Sequence, residues 1–130
     1  MQRPSLDEWI REESRKEQAD KCGMYLSHVG VVRSTPRALV RDKVMDAGTV
    51  AGMLFDHDPV KTDEAIRRTL QKDGIYSVRV WLNRGELKTG DAIMQVLVGG
   101  DIRDHVLEAL TELVGELKRE CVKETEIHAC

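Results

Sequence analysis

Residues 81–101 run WLNRGELKTGDAIMQVLVGGD, and this stretch decides the fold. Gly85 and Gly90 bracket four residues in a predicted tight turn, and Thr89-Gly90-Asp91 supplies residues that tolerate a left-handed backbone. The residues at 92–98 are almost wholly apolar, which is typical of a strand that is buried on both faces. The stretch therefore predicts a strand, a tight turn and a second strand, followed by a long helix that begins at Asp101.

The segments around this stretch predict alternating helices and strands. Ser5 is placed to cap a first helix, and residues 1–22 are expected to form a charged helical arm that is exposed or packs on a partner. Helices interleaved with adjacent strand pairs indicate an α+β fold, with a mostly antiparallel sheet and packed helices in one domain, residues 1–130. The other predicted elements are strands at 24–32, 39–45, 49–55, 75–82 and 123–128, a mobile loop at 34–37, and helices at 58–72 and 101–121.

Two spacing patterns predict which side chains face the core. In the strand at 75–82, alternation points Tyr76, Val78 and Val80 inward. The same alternation points Ser77 and Arg79 outward. The main helix carries an apolar stripe at three- and four-residue spacing, formed by Ile102, Val106, Leu110, Leu113 and Leu117.

The charge balance indicates an ordinary cytoplasmic domain. The 20 basic and 23 acidic residues give a net charge of −3, so we expect neither a nucleic-acid nor a membrane partner. No apolar run approaches the roughly 20 residues that span a bilayer. The N-terminus carries acidic residues soon after Met1, which does not fit a signal peptide.

The candidate metal ligands do not form a recognised site. Cys22, Cys121 and Cys130 contain no CxxC pair, and reduced thiols are expected. A zinc site from Cys121, His128 and Cys130 is the alternative, but it needs a fourth ligand and has no familiar spacing. Asp56, His57 and Asp58 are adjacent and suggest a metal or acid–base cluster, but Asp-His-Asp-Pro is a normal solvated helix entry and no further ligand is spaced to join it. We expect no metal and no cofactor.

Four features occur in order along the chain. The strand at 24–33 ends in Gly-Val-Val-Arg, and residues 83–91 include Gly-Glu-Leu-Lys-Thr-Gly-Asp. Arg103 stands at the start of the main helix, Lys118 near its end, and Lys123 beyond it. In this order they resemble the motifs of the MoaE family, the large, catalytic subunit of molybdopterin synthase. That family has a Gly-x-Val-Arg strand end, a Gly-Glu-Leu-x-x-Gly-Asp turn, an arginine at the start of its main helix, a lysine near the helix end and a second lysine beyond it.

The resemblance covers about residues 6 to 124 and implies a fold and an activity. The fold is an α/β-hammerhead-like arrangement. The activity is sulfur transfer, in molybdenum cofactor biosynthesis, from a small ubiquitin-like subunit with a C-terminal thiocarboxylate to cyclic pyranopterin monophosphate. The resemblance also implies a homodimer that binds small subunits as a heterotetramer.

The resemblance assigns roles to four cations. Lys118 and Lys123 are the expected catalytic residues, and Arg33 and Arg103 are expected to bind substrate anions. Without the resemblance, these residues would be ordinary surface charges. The family's histidine before Arg103 is Ile102 here, and the segment between the lysines is shorter by about two residues. Both differences favour an alternative, a diverged non-catalytic relative that binds anions or pterins or acts as an interaction module.

Helix geometry adds two predictions about these cations. Five residues turn an α-helix through about 500°, so Lys118 and Lys123 share a pocket only if the helix ends near Cys121 and an extended segment folds back. Arg103 and Lys118 lie roughly 22 Å apart along one helix. A single small substrate therefore contacts both only if Arg103 comes from the second copy in a symmetric homodimer.

Overall fold

The computed structural model describes residues 2–35 and 49–128. The predicted strand at 39–45 and part of the predicted loop at 34–37 lie outside the described residues. The fold is α+β, as predicted. Its elements are α1 (Leu6–Glu13), a 3₁₀ helix (Glu17–Lys21), β1 (Met24–Val31), β2 (Val50–His57), α2 (Pro59–Leu70), β3 (Ile75–Leu82), β4 (Gly85–Lys88), β5 (Ala92–Gly100), α3 (Arg103–Glu116), a π-helical turn (Leu117–Cys121) and β6 (Val122–His128).

The described strands form two antiparallel sheets. Sheet A has the order β1-β5-β3 and sheet B the order β4-β2-β6. The central strand β5 is buried from Ile93 to Gly100, which confirms the prediction of a strand covered on both faces. The helices α2 and α3 pack on one face of sheet A, and the core lies between these helices, sheet A and the inner face of sheet B. Among the described helices, none is long and apolar enough to cross a membrane.

The helix starts follow the predicted capping residues. The Ser5 hydroxyl accepts a hydrogen bond from the Glu8 backbone N–H at 3.2 Å and begins α1. The Asp58 carboxylate accepts from the backbone N–H groups of Val60 and Lys61 at 3.0 and 3.2 Å and begins α2. These side chains satisfy N–H groups that have no partner inside the helix.

Residues 85–88 form a strand where the sequence predicts a tight turn. Strand β4 pairs with β2, from Gly52 opposite Lys88 to Phe55 opposite Gly85. The physical reason is Leu87, which is buried in the core between two polar neighbours, as a half-buried strand requires. The left-handed turn lies at Gly90, whose φ is +93°, and this confirms the turn predicted at Thr89-Gly90-Asp91. Because β4 lies between β3 and β5 in the sequence, the chain passes from sheet A to sheet B and then returns to sheet A.

The N-terminal helix is not an exposed arm, contrary to one prediction. Helix α1 buries Trp9 and Glu13 against the face of sheet A opposite α3. The predicted outward residues of β3 are therefore covered: Ser77 is buried and Arg79 is half-buried. Alternation places these side chains correctly on one face, but it does not show that a distant segment covers that face.

The apolar stripe of α3 is confirmed at four of its five positions. Val106, Leu110, Leu113 and Leu117 are buried. Ile102 is 52% exposed, because it precedes the helix in extended conformation and does not share the helical spacing.

Candidate active-site cavity

A cavity of about 270 Å³ lies between the two sheets at the C-terminal end of α3. Its volume is close to the lower end of the roughly 300–1,000 Å³ that is usual for ligand sites. Its apolar lining includes Met53, Ile93 and Met94. Five side chains with ionisable groups complete the lining: His28, Arg33, Lys118, Glu124 and Glu126.

Strand β1 supplies one wall of the cavity. His28 and Gly30 pair with Val96 and Met94 of β5, whose side chains point to the core face of sheet A, so His28 points to that side as well. Arg33 follows the strand, is exposed, and donates from Nε to the Thr35 carbonyl at 3.1 Å.

The imidazole of His28 is distinguished by its hydrogen bonding and by its pKa. Among the described residues, its Nε2 is the one buried side-chain nitrogen or oxygen that has no hydrogen-bond partner. Burial lowers the pKa of His28, and the positive charge of Lys118 lowers it further. The ring is therefore neutral at pH 7, with one nitrogen as a donor and the other as an acceptor.

The end of α3 positions Lys118. The π-helical turn buries Leu117 and Cys121 and leaves Lys118 exposed at the cavity. The Asp58 N–H donates to the Cys121 carbonyl at 2.8 Å and ties this turn to the start of α2. Burial raises the pKa of the Cys121 thiol, which is therefore uncharged and acts as a core group. The prediction that the helix ends at Cys121 and continues as an extended segment is confirmed.

Strand β6 supplies the acidic wall of the cavity. Glu124 pairs with Phe55 and Glu126 with Met53 across β2, so both glutamates share the inner face of sheet B with these buried residues. Lys123 pairs with Asp56, which is exposed on the outer face. Within one chain, the structure therefore does not bring Lys118 and Lys123 into one pocket. The reason is the alternation of β6, which turns Lys123 away from the cavity.

Comparisons with known proteins identify the architecture around this cavity. The family model described as MoaE protein matches residues 3–120. The chain belongs to the MoaE family. The sequence matches no curated protein at a significant level.

Solved structures show the same fold as this MoaE-family chain. Molybdopterin synthase from Staphylococcus aureus has a TM-score of 0.72 at 16% identity, covering 97% of this chain and 87% of that one. The MoaE protein of Burkholderia ambifaria gives 0.68 at 19% identity, covering 99% and 83%. The complex of subunits 1 and 2 of molybdopterin-converting factor from Helicobacter pylori gives 0.65 at 16% identity, covering 95% and 81%.

The structure of this MoaE-family chain brings two of the four expected site residues together. Arg33 and Lys118 line the cavity, although they are 85 positions apart in the sequence. Arg103 is exposed at the first residue of α3, at the opposite end of that helix from Lys118. Lys123 lies on the outer face of sheet B, near Asp56 and Arg84.

Sequence reasoning missed three lining residues of this site. His28, Glu124 and Glu126 all lie on strands that the sequence predicts, and alternation alone places each of them on one of two faces. Choosing the correct face of β6 requires its pairing with β2, which is a long-range contact. For His28, alternation within β1 gave a partial signal, because Met24 and Leu26 share its face and pack against the core.

The arrangement suits recognition of a ligand with an anionic group. Two cations, two carboxylates and one neutral imidazole surround a partly apolar space. Arginine binds phosphate oxygens through two parallel N–H groups, and lysine supplies a mobile point charge. Within the described residues, no cluster of three or more metal-ligating side chains is present.

Proposed function

We propose that this chain is the large subunit of a molybdopterin synthase. It would accept the thiocarboxylate tail of a small ubiquitin-like subunit and transfer sulfur to cyclic pyranopterin monophosphate. Membership of the MoaE family supports a role in molybdenum cofactor biosynthesis. The observation that carries the more specific proposal is the convergence of Arg33 and Lys118 on one cavity of a MoaE fold.

The residue types fit this chemistry. The substrate carries a phosphate and the partner's tail ends in a thiocarboxylate, so both reactants are anions. Arg33 would hold the phosphate through its guanidinium fork. Lys118 would act at the reacting centre as a base or a nucleophile, because a lysine amine serves in both roles in enzymes.

A second copy would complete the proposed site. Arg103 lies at the far end of α3, about 22 Å from Lys118 along the helix axis, and does not line the cavity of its own chain. In a symmetric dimer, Arg103 of one copy would reach the cavity of the other. The expected assembly is a homodimer with one small subunit at each cavity, in the cytoplasm. The Helicobacter pylori structure is itself a complex of two different subunits.

The acidic wall favours a second candidate function, a non-catalytic binding module. Glu124 and Glu126 place two carboxylates on the cavity lining, opposite in sign to the groups expected for anionic reactants. Ile102, where the family carries a histidine, points to the same alternative. A module of this kind would keep the fold and bind a pterin or a partner without transferring sulfur.

One reconstitution separates the two functions. The purified chain is mixed with a thiocarboxylated small subunit and cyclic pyranopterin monophosphate, and dithiolene product is measured. Product formation supports the synthase. Binding of either reactant without any product supports the non-catalytic module and contradicts sulfur transfer. An Arg33→Ala chain is the matched control, because it should bind the phosphate more weakly while keeping Lys118.

A further inference from the structure

We infer that His28 is a substrate-contacting residue of the cavity, whose Nε2 forms a hydrogen bond to the heterocyclic edge of the ligand while Arg33 and Lys118 hold its anionic group. The inference rests on the proposed function, and it adds a specificity-determining residue to the same site. Two observations support it: the imidazole lines the cavity, and its Nε2 has no hydrogen-bond partner among the described residues.

The surroundings of His28 differ from those of the other three histidines. His57 Nδ1 lies 3.0 Å from the Asn83 carbonyl oxygen, and His105 Nδ1 lies 2.8 Å from Asp101. His128 is exposed, and its Nε2 lies 3.9 Å from Glu126, which is an ion-pair distance and too long for a hydrogen bond. His28 Nε2 is buried and has no hydrogen-bond partner among the described residues. Leaving a buried polar atom without a partner is unfavourable, and a hydrogen bond from a ligand in the cavity would offset that cost.

The imidazole has two orientations about its last side-chain torsion. The last side-chain torsion of histidine is broad and roughly two-fold, so the ring samples orientations that exchange Nε2 with Cε1. Because no described protein group holds Nε2, this rotation breaks no hydrogen bond there. The ring borders the cavity, and a donor or acceptor on the ligand would select one orientation.

Gly30 leaves the flank of the imidazole without a neighbouring side chain. A Cβ atom at Gly30 would lie 3.7 Å from His28 Nε2 and 3.3 Å from Met94 Cγ. Because Nε2 is buried in the ring orientation of the structure, a ligand reaches it only when the ring turns. A methyl group at Gly30 would crowd the ring and Met94 on the side where both line the cavity.

The charged groups around His28 indicate which interaction its neutral ring adds to ligand binding. Arg33, Lys118, Glu124 and Glu126 are the charged groups that line the cavity with it. A neutral imidazole adds no charge to this set, so it contributes little to binding a simple anion. It contributes a directional hydrogen bond to a ring N–H, ring nitrogen or carbonyl. The cavity would therefore distinguish an anionic heterocycle from inorganic phosphate.

The test compares two ligands by calorimetry on the full chain: cyclic pyranopterin monophosphate and inorganic phosphate. The His28→Phe change should weaken pterin binding by about tenfold, the value of one hydrogen bond, and change phosphate binding by less than about twofold. His28→Gln should restore most of the affinity, because its amide also donates and accepts. His57→Phe, which removes an imidazole outside this cavity, should change neither.

A second variant keeps the test decisive if the His28→Phe chain does not fold. Gly30→Ala keeps the imidazole and should weaken pterin binding severalfold, with phosphate binding unchanged. Unaltered pterin affinity in folded His28→Phe, or in Gly30→Ala, would overturn the role of His28. An equal loss for both ligands would overturn it too, because it would indicate general damage to the cavity.

The outcomes also separate this inference from the proposed function. If the unsubstituted chain binds the pterin but forms no product, sulfur transfer is contradicted while the affinities still decide the role of His28. If the unsubstituted chain does not bind the pterin at all, both are overturned. If product forms and His28→Phe binds pterin normally, only the role of His28 is overturned.

Discussion

The two faces of sheet A bury polar groups in different ways. On the face covered by the N-terminal segment, the Glu13 carboxylate accepts from Ser77, from Arg79 Nε at 2.8 Å and from Lys16 at 2.6 Å. Gln95, on the same face, accepts from Arg3 at 2.7 Å. On the face that borders the cavity, the Nε2 of His28 has no described partner.

This difference separates residues that hold the fold from residues that are available to a ligand. A buried polar group whose partners all come from the same chain stabilises one arrangement. A polar group that stays unpaired beside a cavity is a cost that binding would offset. The N-terminal face therefore has the character of a structural contact, and the cavity face has the character of a site.

Replacing Lys118 by Ala should give the largest effect, on the cavity face. We expect sulfur transfer to fall by at least about a hundredfold, the usual contribution of an acid–base residue, with the fold intact. Dithiolene formation under single-turnover conditions measures it. Arg119→Ala is the matched control, since Arg119 is the exposed neighbour that does not line the cavity. Equal losses of sulfur transfer in both variants would contradict a specific role of Lys118 in the site.

Mixing two inactive chains tests whether Arg103 belongs to the cavity of a second copy. An Arg103→Ala chain mixed with a Lys118→Ala chain should restore about a quarter of the sites, because half of the random dimers are mixed and each has one intact cavity. Arg33→Ala mixed with Lys118→Ala should restore none, because both residues line the cavity of one chain. A monomer in solution would contradict the composite site.

Replacing Glu13 by Gln should weaken the N-terminal face without changing the cavity. Its side chain is 2% exposed, and loss of its charge leaves Arg79 without its buried partner. We expect the free energy of unfolding to fall by about 3 kcal/mol, measured by urea denaturation. Glu12→Gln is the control, because Glu12 pairs with the same arginine but is exposed and should cost less than about 1 kcal/mol. Similar costs would show that the Glu13 cluster is not a structural centre.

The stabilisation from Glu13 should depend on pH in one direction. Burial alone raises the pKa of Glu13, but hydrogen bonds from Lys16, Ser77 and Arg79 outweigh it and hold the pKa below its ordinary value of 4.5. The stabilisation is therefore complete above that value and is lost as the pH falls through the lower pKa of the folded state. The stability difference between the native chain and Glu13→Gln should shrink below pH 4.5. A difference that grows on acidification would contradict this.

Replacing Lys123 by Ala should have the smallest effect, if the geometry of one chain governs the site. The side chain lies on the outer face of sheet B, so we expect transfer to change by less than about twofold. The same single-turnover assay compares it with Lys118→Ala. A loss as large as that of Lys118→Ala would show that Lys123 reaches a cavity in the assembled protein, as the resemblance implies.

Local patterns were sufficient for most of the elements. The caps at Ser5 and Asp58 act through neighbours within three residues, and the apolar run at 92–98 needs no distant partner to indicate a buried strand. The end of the main helix near Cys121 was predicted on the premise that Lys118 and Lys123 share a pocket. The helix does end there, but Lys123 faces away from the cavity of its own chain.

The errors arise where a distant segment decides the outcome. Ser77 and Arg79 are polar and alternate with apolar residues, yet α1 covers them. The Glu13 carboxylate that they contact is 64 positions from Ser77 and 66 positions from Arg79 in the sequence. The segment at 85–88 is short and polar enough to form a turn, but it forms a strand because it pairs with β2. Spacing within a segment carries no information about either contact.

The candidate site was predictable in part. Arg33 and Lys118 came from resemblance to the MoaE family, and their meeting in one cavity depends on how β1 and the end of α3 converge. His28, Glu124 and Glu126 carry no motif that marks them. Their place in the cavity depends on strand pairing across the molecule.

The π-helical turn at Leu117–Cys121 sets the charge of one wall of the cavity through its length. It leads directly into β6, where neighbouring residues face opposite sides of sheet B. One inserted residue in this turn, with β6 keeping its place beside β2, would move Lys123 into the place of Glu124, and Thr125 into the place of Glu126. Two carboxylates would give way to one ammonium and one hydroxyl without any substitution in the chain. A single inserted codon is thus enough, over evolutionary time, to convert this wall from acidic to basic.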